Sequence, residues 1–142
     1  MTFEVARTAA AGVRSAGTPL ARALMSERVA WAHARAGEDQ HADRALGVAD
    51  DHFADDARGE QEPAWTYRLD RTEMDVMAGR VYVELARPLR SEPLLNRALA
   101  GYADDHVRER ALYSSWLAEA YGQGKSSRPP RSPVLASRWP RR

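Results

Sequence analysis

Cysteine is absent from these 142 residues, which excludes disulfides and thiolate metal sites and argues against an exported disulfide scaffold. Lysine is nearly absent: Lys125 is the only one among 21 basic residues. No apolar run approaches a membrane span, and the first residues lack the apolar centre of a signal peptide. A cytoplasmic protein with no membrane partner is therefore expected. Strand patterning is missing too, apart from Val81-Tyr82-Val83, whose flanks are helical. What remains suits one globular domain: 44% apolar residues, 29% charged residues, and alanine the commonest. Alanine has the best helix propensity and lets helices approach closely, so packed helices are expected.

The net charge of +1 hides an asymmetry. Six basic residues and no acid follow from Lys125 onward, leaving fifteen basic against twenty acidic residues before it, a formal −5. An acidic body argues against direct nucleic-acid binding by the folded part. The division is residues 1–124 as a helical domain and 125–142 as a basic Pro/Arg/Ser tail, without periodicity and expected to be disordered.

Along the chain, a short Ala-rich helix is expected from Phe3 to about Ser15. Thr18-Pro19 then supplies an N-cap and a first-turn proline for a helix running to about Ala36. Gly37 stops it, and a second helix follows from about Asp39 to Phe53. A polar break precedes Trp65, Tyr67 and Leu69. Asp70-Arg71-Thr72-Glu73 has capping-box spacing, with Asp70 as N-cap and Glu73 reaching back. That helix should end near Ala86, ahead of Pro88. Two more are expected, over Ser91–Tyr102 and Asp105–Gly122.

Paired helices call for a test of internal similarity. With Gly37 at one turn and Ala86 at the next, Ala30 matches Gly79, Ala42 matches Ser91, and Ala49 matches Ala98. Small residues thus recur where the helices of a tetratricopeptide repeat cross. The interval exceeds the usual length of about 34 residues, the excess being the Asp55–Leu69 insertion. The expected fold is an all-α, tetratricopeptide-like right-handed array of antiparallel helix pairs, about six helices in all.

The segments Pro63-Ala64-Trp65-Thr66-Tyr67-Arg68-Leu69-Asp70, Met77-Ala78-Gly79-Arg80-Val81-Tyr82 and Pro93-Leu94-Leu95-Asn96-Arg97-Ala98-Leu99 carry a closer likeness. With Arg108-Glu109-Arg110-Ala111-Leu112-Tyr113 and Trp116-Leu117-Ala118, they resemble the repeat region that follows the helix-turn-helix domain in many actinobacterial transcriptional regulators. The resemblance covers about residues 1–122 and implies a sensory or interaction part without its DNA-binding part. Such relatives continue past the last glycine with an acidic, Ala-rich helix. Here the Arg/Pro/Ser segment begins at that point, as a frameshift in GC-rich DNA would produce.

No chemistry-bearing constellation stands out. His33, His41, His52 and His106 include no i, i+4 pair, and Asp50-Asp51 and Asp55-Asp56 lack the glycine and terminal glutamate of a calcium loop. Ser114-Ser115 has no glycine-rich elbow and no partner histidine at a recognisable spacing. Gly122-Gln123-Gly124 is not followed by a phosphate-binding helix. Hence no catalytic residue, metal or cofactor is expected.

Most aromatic residues should be core. Trp31 is the exception, falling on the inner face of the first repeat helix beside Glu27 and Arg35. Glu73, Arg80 and Glu84 share that face in the second unit. This set suits an extended peptide, while ordinary exposed charges are the alternative reading for each residue. The expected function is a non-catalytic protein- or peptide-binding module. A small-molecule sensor with an internal polar pocket and a truncated regulator remnant are the alternatives, and an enzyme ranks last. An unfinished last unit should leave Leu112, Trp116 and Tyr121 at an open edge that self-association could cover.

Overall fold

The computed structural model describes residues 4, 8, 11–12, 17–55, 66 and 69–126. Its helices are α1 (Pro19–Arg35), α2 (Asp39–Asp55), α3 (Arg71–Glu84), α4 (Pro88–Gly101) and α5 (Val107–Ser126), with no strand among the described residues. The all-α expectation is met. Six helices were expected, and five are described in full. Of the first expected helix only Glu4, Thr8, Ala11 and Gly12 are described, each helical. Trp65, Tyr67, most of the insertion and residues 127–142 of the tail lie outside the described residues. None of the described helices is long and apolar enough to cross a membrane.

Sequence sets each boundary. Pro19 opens α1 where its missing N–H costs nothing, with Thr18 extended at the N-cap position. At the other end Gly37 adopts φ +73°, and the amides of Gly37 and Glu38 donate to the carbonyls of Ala34 and His33. This is the paired-bond stop that left-handed residues provide. The same stop closes α3. Ala86 takes φ +53°, and the amides of Ala86 and Arg87 donate to the carbonyls of Val83 and Tyr82. Alanine pays for that conformation with its Cβ, at roughly 1–2 kcal/mol. Ala86→Gly is therefore expected to stabilise the fold by about 1 kcal/mol once the extra unfolded-state freedom of glycine is deducted. A urea midpoint that falls instead would show that Ala86 carries no such strain.

The last two helices depart most from expectation. Pro88 was read as a stop, yet it also occupies the first turn of α4, three residues before the expected start at Ser91. The last helix begins at Val107 and continues through Gly124 and Lys125 to Ser126, past the expected end near Gly122. Gly124 lies against Pro88 and Glu92 of α4, so packing holds the helix beyond its own glycines.

The helices pack α1 on α2, α3 on α4 and α4 on α5, while α1 also touches α3 and α3 touches α5. Lying among four neighbours, α3 is buried on several sides, through Met74, Asp75, Val76, Gly79, Val81, Tyr82 and Val83. Small residues make the crossings possible. Ala30, Ala42, Ala49 and Ser91 are fully buried, Ala98 nearly so, and Gly79 packs against Leu95. Between α2 and α4 the ties are ionic: Arg87 bonds Asp39 at 2.6 Å and Asp43 at 3.2 Å, and Arg90 bonds Asp43 at 2.9 Å.

Candidate functional site

The six residues singled out on α1 and α3 separate into three settings. On α1, Trp31 and Arg35 follow each other by one helical turn, and Arg80 and Glu84 do so on α3, so the two pairs meet where these helices touch. Arg80 lies over the Trp31 ring, 3.8 Å from its centroid, and 5.1 Å from that of Trp116 on α5. Arg35 pairs with Glu84 at 3.2 Å. Partial burial, with Arg28 and Arg35 nearby, lowers the Arg80 pKa, and Glu84 opposes the shift. Among the described residues no carboxylate lies within ion-pair distance of Arg80. Three helices thus share a face carrying two indoles, a stacked guanidinium and further cationic charge at Arg28.

Glu73 belongs elsewhere. Asp70 caps α3 as expected, accepting from the Glu73 amide at 2.9 Å, but the Glu73 side chain does not reach back. Its carboxylate accepts instead from the hydroxyls of Tyr102 and Tyr113, the latter at 3.4 Å. Two phenolic donors from α4's end and α5 outcompete one backbone amide. Burial and the facing carboxylate push both tyrosines' pKa values up. A concavity of about 420 Å³ opens beside them, bounded by Asp70, Thr72, His106 and Glu109.

Glu27 is the third setting, and it is no surface charge. Only 1% of it is exposed, and neither carboxyl oxygen has a hydrogen-bond partner among the described residues. Burial raises its pKa from 4.5 to about 9; Arg28 opposes the shift, while Asp50 and Glu73 reinforce it. It lines a cleft of about 310 Å³ between α2 and α4, with Leu46, Met74, Ala78 and Leu94 as apolar walls. Arg71, Arg90 and Arg97 also line it, and all are neutralised. Buried Asp75 accepts from Arg97 at 2.6 and 2.9 Å and from Arg71 at 3.2 Å. Asp50 holds Arg71 as well, at 2.9 Å, and Arg90 is held by Asp43. Arg90 also lies over Tyr82, whose hydroxyl is pushed up to about 12 by burial and its bond to Asp43.

Sequence reasoning missed Arg71, Asp75 and Arg97. The i, i+4 spacing of Arg71 and Asp75 was a visible signal, but Arg97 comes from another helix. Trp116, assigned to the open edge, is half-buried against Tyr113 at 5.5 Å between ring centroids. Leu112 and Tyr121 do stand exposed on α5, at 48% and 44%.

The remaining polar candidates have local partners. His33 bonds Glu38 at 2.6 Å and lies beside His41, and His106 bonds Asp105. Ser115 donates to the Leu112 carbonyl of its own helix. No group of three or more metal-ligating side chains converges among the described residues. In comparisons with known proteins, the chain matches no family model, no curated protein and no solved structure.

Proposed function

We propose that this chain is a non-catalytic, peptide-binding helical array of the tetratricopeptide kind, whose α1–α3–α5 face takes an extended acidic segment of a protein partner. The array reading is supported by the shared stop at Gly37 and Ala86 and by buried small residues at matching positions of the two hairpins. Residues 49 apart also face each other: Arg35 pairs with Glu84, and Trp31 stacks on Arg80. That register is what stacked units produce. The sensory half of a helix-turn-helix regulator, which the sequence resembles, is the setting this role would suit.

The observation carrying the acidic preference is Arg80, which lies over Trp31 and near Trp116 with no ion-pair partner among the described residues. Indole covers the flat of its guanidinium, which leaves the N–H edges for a ligand. A carboxylate bound there gains a charge-assisted bond in a partly dehydrated place. Tryptophan fluorescence reads this directly. Titration with a ten-residue Glu/Ala peptide should change the emission saturably, and a Lys/Ala counterpart should not. Arg80→Gln should weaken the Glu/Ala complex at least about tenfold, given roughly 1.5–3 kcal/mol for a bond to a charged group. Equal response to both peptides, or an unaffected Arg80→Gln variant, would refute the assignment.

A further inference from the structure

Neither the array nor the peptide face has a use for Glu27. The matching position of the second hairpin, 49 residues on, is Val76, which packs against Ala98 and Tyr113. The site accepts an apolar side chain in one hairpin and holds an acid in the other. An unpartnered buried polar group costs stability. Glu27 is also the most buried residue lining the α2–α4 cleft and the only one contributed by α1.

The cleft's chemistry narrows what would pair with it. Charged groups face Glu27 from every packed element: Arg28 on α1, Asp50 on α2, and Arg71 and Glu73 on α3. Arg90 and Arg97 of α4 line the same cleft. Each of its three guanidinium groups is already paired with a carboxylate, so the lining offers a charged ligand no free counter-charge. An un-ionised carboxyl presents an O–H donor and a C=O acceptor side by side. That pattern is complementary to the C=O and N–H of an amide. Leu46, Met74, Ala78 and Leu94 supply a greasy wall for a small ring or short chain beyond it. The volume stands at the small end of ligand sites.

We infer that the α2–α4 cleft is a second binding site, taking a small uncharged ligand whose carboxamide or lactam pairs with the Glu27 carboxyl while its apolar part lies against Leu46, Met74 and Leu94. The raised pKa of Glu27 keeps the acid protonated at neutral pH, as this pairing requires. The site is separate from the peptide face and stands whether or not peptides bind there.

Benzamide and benzylamine, matched in size but uncharged and cationic respectively, provide the test on the full chain. Backbone amide shifts of Ala78 and Leu94 would be followed by NMR. Benzamide is expected to saturate them and benzylamine to bind at least about tenfold more weakly, the worth of one well-made buried hydrogen bond. Glu27→Gln keeps a donor and an acceptor and should retain benzamide binding. Glu27→Leu, which removes a buried polar group and so does not threaten folding, should lose it at least about tenfold. Benzamide affinity should also fall as pH passes about 9, where the carboxyl ionises. Tighter binding of benzylamine, no saturable shift, or full benzamide binding by Glu27→Leu would each overturn the inference.

Discussion

Replacing Glu27 with leucine should stabilise the protein by about 3 kcal/mol at pH 7, with the gain increasing as pH rises. The folded-state acid titrates near 9 against an ordinary 4.5. Between those values the folded chain holds a proton that the unfolded chain has released. Stability therefore falls as pH rises from about 4.5 to about 9, at about 1.4 kcal/mol per unit. At pH 7 roughly half that descent has accumulated, which sets the figure of about 3 kcal/mol. Leucine removes the titration altogether and adds apolar burial beside Met74 and Leu46. Urea denaturation at pH 5, 7 and 9 is the measurement. The gain from apolar burial is already present at pH 5, and the two proteins should separate by a further 3–5 kcal/mol or so by pH 9. Parallel curves would mean that Glu27 reaches water or a partner.

The second large effect is at the α3–α4 crossing. Leu95 is completely buried, and a Cβ on Gly79 would come within 2.8 Å of its side chain. Leu95→Ala should cost about 2–5 kcal/mol, the range for a buried leucine whose cavity only partly collapses. Gly79→Ala alone should also destabilise. Overpacking of about 1–3 kcal/mol outweighs the gain of up to about 1 kcal/mol in helix propensity. Together the changes should cost clearly less than the sum, because the new methyl enters space that Leu95 vacates. Strict additivity of the chemical denaturation energies would mean that the two positions do not touch.

Legibility followed sequence distance. The stop at Gly37 and the equivalence of Ala86 could be read because a turn is local, and the small crossing residues stand at fixed offsets from it. The cap at Asp70 was equally local, whereas the fate of the Glu73 side chain depended on Tyr102 and Tyr113, far along the chain. Glu27 was the hardest case. Four residues before Trp31 on an exposed-looking stripe, it read as a surface charge, and only the arrival of α2, α3 and α4 encloses it. Asp75 hid for the same reason, since its partner Arg97 comes from the next helix. Propensity and spacing specify rods and their ends; they do not say which polar side chain a distant rod will shut in.

The joint between the two hairpins is uneven. On one edge α1 meets α3 mainly through indole, alanine and valine, with one exposed ion pair between Arg35 and Glu84, and on the other α2 is tethered to the start of α4 by Arg87 and Arg90 on Asp39 and Asp43. Charge screening by salt weakens the contacts among those four side chains and spares contacts between hydrocarbon. The hairpins behave like two covers with an oily spine and a clasp of charge at the fore-edge. Added salt therefore takes more of the hold from the edge over Leu46 and Leu94, which three ion pairs close, than from the edge where a single pair, Arg35 with Glu84, sits beside buried apolar contacts.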